Sequence, residues 1–197
     1  GLIDDKYKLP ALIRYISQLI VCNFLFSLNQ LKTNLELNNQ FILLYILIIV
    51  LSTATINFCN FIDGIDGLLI SSMIIVFSTF AIDKPSLWPL ISSLLAFAFL
   101  NWSPAKIFMG DSGSTYLGCI FIGCLMQFDS LILFLKGLVL ITPIIGDCIS
   151  CLIKRLIYRQ NIFKAHKLHL YQRLNQSGWS HSKVSIIYGL GILMLCL

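Results

Sequence analysis

Charged residues are scarce in this sequence. Only 12% of the 197 residues are charged, whereas soluble domains carry about twice that fraction. Long apolar runs fill much of the remaining sequence, and the mean hydropathy is +0.86. The low charge excludes an ordinary soluble domain. We therefore predict an all-α integral membrane protein, a polytopic helix bundle whose helices satisfy their own backbone polar groups.

Two familiar chemical patterns are also missing. The seven cysteines are scattered through apolar segments, and the CxxC spacing of Cys148 and Cys151 has no second pair or neighbouring histidine. We interpret these cysteines as small apolar packing residues rather than a metal or redox site. The phosphate-binding pattern GxxxxGK[ST] is absent as well, which excludes a P-loop nucleotide site.

Seven apolar segments are predicted to span the membrane within one catalytic domain, 1–197. They cover 11–28, 41–58, 68–82, 87–102, 115–128, 131–153 and the residues from 184 onward. Alternation of these spans places the polar stretches 1–10, 57–67, 103–114 and 154–183 on one side. That side carries 11 of the 14 Lys and Arg residues: Lys6, Lys8, Arg14, Lys106, Lys154, Arg155, Arg159, Lys164, Lys167, Arg173 and Lys183. The positive-inside rule makes it cytoplasmic. Because the basic residues follow topology, no nucleic-acid partner is expected.

A cluster of amides and carboxylates follows the second span. Asn57, Asn60, Asp63 and Asp66 recur at three-residue steps, which keep successive side chains neighbours on a helix. Two interspersed glycines let the backbone approach a ligand closely. Because burying an unpaired carboxylate is costly, we predict a polar site at the membrane surface that holds a metal ion or a cationic partner.

A second glycine-containing loop, PAKIFMGDSGS at 104–114, precedes the fifth span. We predict that Ser112 or Ser114 caps the following helix and that the amides at 110–113 form an anion-binding concavity. A position beside such amides would favour the ionised form of the Asp111 carboxylate. Mg²⁺ suits carboxylate, phosphate and water oxygens better than softer metals do. Phe108 either stacks on a base or anchors the chain at the membrane interface.

Of three smaller features, the first two each allow two interpretations. Asp4 and Asp5 form either a charged membrane flank or a site for a divalent cation or general base. His166 and His169 belong either to a basic segment on anionic lipid or to a cationic clamp for a diphosphate. Zinc is disfavoured there because no thiolate lies nearby in sequence. Asp147, inside the sixth span, is a candidate functional residue because ionisable groups in spans are costly.

Taken in order, these motifs resemble the polyprenyl-phosphate N-acetylhexosamine-1-phosphate transferases of glycosyltransferase family 4. The resemblance extends over essentially the whole chain, and its most specific parts are 57–68 and 104–113. It implies transfer of a sugar-1-phosphate from a UDP-N-acetylhexosamine to polyprenyl (undecaprenyl) phosphate, with release of UMP. It also implies a multi-pass protein of the bacterial inner membrane whose site faces the cytoplasm. Because family members have about ten or eleven spans, we expect this chain to be an N-terminally truncated fragment.

The resemblance also implies residue roles. Asp111 would be the principal Mg²⁺ ligand and Asp63 a second one, with Mn²⁺ as an alternative ion. Asp4 or Asp5 would deprotonate or position the lipid phosphate, and Asp63 and Asp66 would complete the catalytic site. The substrate-binding residues would be Asn57, Asn60, Asn101, Lys106 and Phe108 for the nucleotide and phosphates, and His166, Lys167, His169 and Arg173 for the diphosphate.

The sugar donor and the class of function have alternatives. The spacing of His166 and His169 differs from the tighter histidine clusters of the peptidoglycan branch, which favours UDP-GlcNAc or a related sugar for O-antigen or other surface polysaccharides. Phospho-MurNAc-pentapeptide transfer is the alternative reaction. A transporter with intramembrane carboxylates is disfavoured because the acids share one face and no internal repeat is found. An inactive scaffold is the third reading. A homodimer is an open alternative for the oligomeric state.

Overall fold

A computed structural model of this chain describes residues 10–28, 41–160 and 168–197. The regular secondary structure in these ranges is entirely helical. The helices are α1 (Ala11–Ser27), α2 (Phe41–Ile62), α3 (Leu68–Asp83), α4 (Trp88–Asn101), α5 (Gly110–Met126), α6 (Leu131–Val139), α7 (Thr142–Ile157), α8 (Leu170–Gln176) and α9 (His181–Cys196), with a 3₁₀ turn at Pro85–Leu87. The all-α prediction is confirmed for the described residues.

The first of two compact units contains the described residues up to Asn60 together with Met109–Val139. Helix α5 packs against α1 and against α6. Gly118 permits a close approach of α5 to α2, because a Cβ there would lie 3.0 Å from the Cα of Ile56. The fully buried apolar side chains of this unit include Cys22, Ile48, Ile56, Phe121, Leu125 and Phe134.

The second compact unit contains the described residues of Phe61–Phe108 and Leu140–Leu197. Helices α3 and α9 form its central packed pair; α4 packs on α3, and α7 packs on α9. The short helix α8 contacts both α7 and α9. Its fully buried apolar side chains include Leu69, Met73, Phe77, Ile144 and Ile192.

Large apolar side chains are exposed on most helices; Phe99 is 86% exposed and Ile42 is 72% exposed. Helix α2, with 22 residues, is long and apolar enough to cross a membrane. The bent pair α6–α7 meets the same criterion when its two helices are taken together, whereas the other apolar helices of the described ranges are shorter. The described part of the chain therefore has one clear candidate span, or two if the bent pair is counted.

The predicted sixth span, 131–153, is wrong as a single helix. Helix α6 ends at Val139, α7 begins at Thr142, and the two are bent by 81°. Pro143 lies in the first turn of α7. A proline has no N–H to donate to the carbonyl four residues earlier, and its ring clashes with that carbonyl, which here belongs to Val139. The apolar composition was predicted correctly, and the loosening of the helix expected from Pro143 and Gly146 is consistent with the break that the structure shows.

The predicted polar loops are partly helical. Asn57 and Asn60 lie in the last turns of α2, and Asp111 lies in the first turn of α5. Neither Ser112 nor Ser114 caps α5, because the helix begins at Gly110. Ser114 instead donates a hydrogen bond to the carbonyl of Gly110 inside the helix. The predicted loop 154–183 contains the end of α7 and all of α8.

Candidate active site

In the first unit, Asp111 of α5 contacts residues of two other helices, α1 and α2. Its Oδ2 accepts a hydrogen bond from Nη1 of Arg14 at 3.2 Å, and its Oδ1 accepts one from Nδ2 of Asn60 at 2.9 Å. Asn60 also lies 2.9 Å from the hydroxyl of Ser114. The N-terminal turn of α5 favours a negative charge, and Arg14 adds a positive partner. The carboxylate is 44% exposed, so it is oriented by its neighbours and still open to a ligand.

Asn57 lies one turn before Asn60 and has a different environment. Its amide pairs with that of Gln18 in both directions, at 2.6 Å and 3.3 Å, and its Nδ2 also donates to the carbonyl of Thr53. Gln18 is buried. In this structure the Asn57 amide therefore joins α1 to α2, and its predicted part in substrate binding stays a prediction.

In the second unit, the turn after α2 presents Asp66. Oδ2 of Asp66 accepts a hydrogen bond from the backbone N–H of Ala105 at 3.2 Å and lies 3.1 Å from Nδ1 of His181. The backbone N–H of Gly67 donates to Oδ1 of Asn101, whose Nδ2 donates to the carbonyl of Ile107. Asn101 is almost completely buried. It therefore connects the Asp66 turn to the loop after α4.

At both glycines of this turn, a side chain would collide with a neighbouring residue. A Cβ on Gly64 would lie 2.0 Å from the hydroxyl oxygen of Tyr171. Gly67 has φ +77°, and a Cβ there would lie 2.8 Å from the ring of Trp102. Residues other than glycine rarely adopt such positive φ values. The glycines thus serve close packing within the protein, in addition to any closeness to a ligand.

His169 belongs to a buried polar network around Asp147. Asp147 in α7 accepts hydrogen bonds from the backbone N–H groups of Leu170 and Tyr171 at 2.6 Å and 3.1 Å and from the hydroxyl of Tyr188 at 2.6 Å. Nδ1 of His169 is 3.5 Å from Oδ1 of Asp147, the oxygen that also accepts the hydrogen bond from Leu170. His169 is 4% exposed and starts α8 in a capping box with Gln172. Asp147 and His169 therefore hold α8 in place.

Tyr171 belongs to the same network. Its hydroxyl donates to the carbonyl of Phe61 at 3.0 Å and receives a hydrogen bond from Gln172. Burial raises the pKa of the Tyr171 phenol far above its usual value, and the nearby charges of Asp147 and Asp63 act in the same direction. The phenol is therefore a neutral hydrogen-bonding group at any physiological pH.

Comparison with known proteins identifies the family. The sequence model described as glycosyl transferase family 4 matches residues 1–129. This chain belongs to glycosyl transferase family 4. It is 35% identical to a "Probable undecaprenyl-phosphate N-acetylglucosaminyl 1-phosphate transferase" of Bacillus subtilis (strain 168), with 98% of this chain and 60% of the relative aligned.

Relatives named for a different activity are similar to this chain at nearly the same level. A "Phospho-N-acetylmuramoyl-pentapeptide-transferase" of Carboxydothermus hydrogenoformans is 33% identical over 83% of this chain and 52% of its own length. One of Staphylococcus haemolyticus is 32% identical over 94% of this chain and 62% of its own length. The family 4 chain thus spans about half to three fifths of the length of these curated relatives.

Besides Asn57, Asn60, Asn101 and His169, which are described above, the predicted site residues of this family 4 chain fall into three groups. Asp4, Asp5, His166 and Lys167 lie outside the described residues. Lys106 and Phe108 are exposed in the loop before α5, and Arg173 is exposed beside Lys154 and Arg155 in a cleft of the second unit. Asp63 and Asp66 lie in the turn between α2 and α3, and Asp111 lies in the first turn of α5. The sequence predicted polar segments at these places. The described ranges contain no group of three or more His, Cys, Asp or Glu side chains placed to hold a metal.

Three polar residues of the site were missed in the sequence. Arg14 and Gln18 are four residues apart in α1 and so share one helix face. Two polar side chains at that spacing in an apolar helix are a readable signal for a polar neighbour. His181 had no local signal, because its partner Asp66 is 115 positions earlier in the chain.

Proposed function

We propose that this family 4 chain takes part in transferring N-acetylhexosamine-1-phosphate from a UDP-sugar to undecaprenyl phosphate. The lipid phosphate attacks the phosphorus bonded to the sugar, UMP leaves, and a lipid diphosphate sugar forms. The observation that carries this proposal is the setting of Asp111. An oriented, half-exposed carboxylate at a helix N-terminus suits a reaction between two phosphate-bearing substrates, which requires positioning and charge neutralisation.

Asp111 would hold Mg²⁺, or Mn²⁺ in its place. Mg²⁺ is commonly bound by one or two carboxylates together with substrate phosphates and water. The side chains around Asp111 fit this mode: its carboxylate accepts hydrogen bonds from Arg14 and Asn60 and is 44% exposed. When bound, the ion would neutralise negative charge on the phosphates. We also propose Asp63 as a carboxylate that takes part in the metal-dependent reaction.

The remaining roles follow the exposure of the side chains. Phe108 is 74% exposed and is available to stack on the uracil base, and exposed Lys106 and Arg173 are available to phosphate oxygens. Arg14 orients Asp111 and adds positive charge next to it. We propose that Asp4, Asp5, His166 and Lys167 complete the lipid-phosphate and diphosphate sites.

For the sugar we propose UDP-GlcNAc or a closely related UDP-amino sugar. The extended similarity to the Bacillus subtilis relative and the His-Lys-Leu-His spacing at 166–169 support this choice. The alternative is phospho-N-acetylmuramoyl-pentapeptide transfer, which is supported by the similarity to the Carboxydothermus hydrogenoformans relative named for that activity. O-antigen or another surface polysaccharide would be the destination of the GlcNAc product.

We further propose that the protein crosses the bacterial inner membrane several times with its site on the cytoplasmic side. The apolar length of α2, the bent α6–α7 pair and the outward-facing apolar side chains support this arrangement. A polyprenyl phosphate requires access from the bilayer, whereas a UDP-sugar requires access from the cytosol. The lipid bilayer is therefore a partner, and a homodimer is compatible with the proposal.

The test uses membranes that contain the full-length protein. Labelled UDP-GlcNAc, undecaprenyl phosphate and Mg²⁺ are added, and UMP and lipid-soluble label are measured. We expect both products, their loss with EDTA, and their loss in Asp111→Asn but not in the matched control Asp83→Asn, whose carboxylate lies exposed at the end of α3. Label transfer only from UDP-MurNAc-pentapeptide would favour the alternative reaction. No product from any UDP-sugar in folded protein would refute the proposal.

A further inference from the structure

A cleft of about 210 Å³ lies in the second unit, beside the end of α7 and helix α8. Three cationic side chains line it: Lys154 and Arg155 from the last turn of α7, and Arg173 from α8. None of the described residues that line the cleft is acidic. A cleft lined by charges of one sign concentrates ions of the opposite sign, so this one favours an anion.

The three cations of this cleft differ in burial. Arg155 is only 5% exposed, whereas Lys154 and Arg173 are exposed. A charge in a buried wall acts through a medium of lower dielectric constant than water, so its attraction for an anion is stronger. The planar guanidinium groups of the two arginines also match the geometry of phosphate oxygens. The cleft therefore suits a phosphate group.

The backbone at the end of α7 is compatible with a bound anion. Free carbonyl groups at a helix C-terminus carry partial negative charge. Here the backbone N–H of Tyr158 donates to the carbonyl of Lys154 at 3.0 Å, and that of Gln160 donates to the carbonyl of Arg155 at 2.8 Å. Arg159 has φ +52°, which turns the chain so that Gln160 lines the cleft. These hydrogen bonds satisfy carbonyls that would otherwise oppose an anion.

The surroundings of the cleft favour a lipid over a nucleotide as the source of the phosphate. Ile153, Leu156 and Ile157 of α7 are exposed next to its cations, and exposed Tyr158 lines it. Tyrosine and basic residues are typical of the level of lipid headgroups, beside an apolar surface that acyl chains cover. The cleft is also smaller than the roughly 300–1,000 Å³ of pockets that enclose drug-sized ligands. It has room for a phosphate ester but not for a whole UDP-sugar.

We propose that this cleft binds the headgroup phosphate of an anionic phospholipid from the surrounding bilayer. Basic pockets between helices on the cytoplasmic side of membrane proteins bind such headgroups. The phosphate lies among Lys154, Arg155 and Arg173, and the acyl chains extend along the exposed apolar side chains of α7. The inference rests on the membrane arrangement proposed above, but it does not depend on sugar-phosphate transfer.

The test titrates the full-length protein in detergent with phosphatidylglycerol and follows the first bound lipid by native mass spectrometry. Zwitterionic phosphatidylcholine is the comparison lipid and should bind more weakly. Each basic residue near a membrane surface strengthens the binding of anionic lipid by about fivefold. We therefore expect Lys154→Gln to raise the Kd for phosphatidylglycerol about fivefold, and the double variant Lys154→Gln/Arg173→Gln to raise it about 25-fold. Arg155 is left intact because its buried side chain is part of the packing.

The matched control is Arg159→Gln, which removes an exposed charge close in sequence but outside the cleft. Its Kd should change by less than about twofold. An unchanged Kd in Lys154→Gln, or an equal rise in Lys154→Gln and Arg159→Gln, would overturn the inference. Displacement of the lipid by millimolar UDP-GlcNAc or inorganic phosphate would overturn the assignment to lipid and give the cleft to that soluble phosphate.

The binding measurement requires no turnover. A wild-type protein that binds phosphatidylglycerol as expected but releases no UMP from any donor would refute the proposed function and support this inference. A protein that releases UMP but binds the two lipids equally would do the reverse.

Discussion

The hydroxyl oxygen of Tyr188 lies 2.6 Å from Oδ2 of Asp147, and both side chains are almost completely buried. The same carboxylate accepts hydrogen bonds from the backbone N–H groups of Leu170 and Tyr171. One acidic residue thus connects α7, α8 and α9. An ionisable side chain in an apolar helix was predicted to be a functional residue; the structure shows that it hydrogen-bonds to α8 and α9, and a functional role stays a prediction.

Removing this carboxylate should destabilise the second unit. In Asp147→Ala, three hydrogen-bond donors lose their acceptor, and those of Tyr171 and Tyr188 are buried, so we expect the free energy of unfolding to fall by about 3 kcal/mol or more. Tyr188→Phe removes one donor and should cost less, about 1–2 kcal/mol. Thermal unfolding of purified protein in detergent measures both. Tyr158→Phe, whose ring is exposed, is the control; Asp147→Ala melting at the same temperature as that control would contradict the assignment.

The ion pair of Arg14 and Asp111 should affect activity more than stability. Arg14→Ala removes a charge-assisted hydrogen bond to Asp111 and allows the carboxylate to rotate. We expect a fall of about tenfold in the rate of UMP release, which corresponds to about 1.4 kcal/mol in the transition state. The exposed position of both groups keeps the stability change small. Lys136→Ala on α6 removes a charge elsewhere and serves as the control; an equal effect of the two variants would argue against the pairing.

Gly64 should not tolerate a side chain. A Cβ in Gly64→Ala would lie 2.0 Å from the Tyr171 hydroxyl oxygen, so the phenol must move and lose its hydrogen bond to the Phe61 carbonyl. We expect a destabilisation of about 1–3 kcal/mol. Gly146→Ala has no atom within 4 Å of the added Cβ and should be neutral or stabilise by up to about 1 kcal/mol.

A second variant checks the cause of the Gly64→Ala effect. Tyr171→Phe removes the hydroxyl oxygen, so Gly64→Ala should cost less in a Tyr171→Phe background than in the wild type. Melting temperatures of the four proteins give this difference. Strictly additive effects would show that the clash with the phenol is not what limits position 64.

The amide pair of Gln18 and Asn57 should behave as one unit. Replacing either residue by Leu leaves the other amide buried without its partner, whereas replacing both leaves apolar groups in contact. A double-mutant cycle should therefore give a coupling energy of about 0.5–3 kcal/mol. Unfolding of the four proteins in detergent supplies the values. Additive single changes would indicate that Asn57 serves a ligand rather than α1.

The local patterns predicted much of the site because they depend on short spacings. The three-residue steps from Asn57 to Asp66 predicted neighbouring polar side chains on one helix face; Asn57 and Asn60 lie in the last turns of α2, whereas Asp63 and Asp66 lie in the turn after it. The glycines at 64 and 67 indicated a tight turn. The spacing did not reveal that Asn57 and Asn101 hydrogen-bond within the protein, because their partners belong to other segments. Donors and acceptors that meet through tertiary packing leave no periodic signal.

The sequence by itself determined the helical class, the family motifs and the polar character of the segments around Asp63, Asp66 and Asp111, since low charge and local spacing are properties of short stretches. Tertiary structure alone decided which side chain orients which carboxylate. Arg14 meets Asp111, His181 meets Asp66, and Tyr188 meets Asp147, in each case over a separation of tens of residues or more. Hydrogen bonds require approach within about 3 Å, and only packing of the helices brings such distant residues that close.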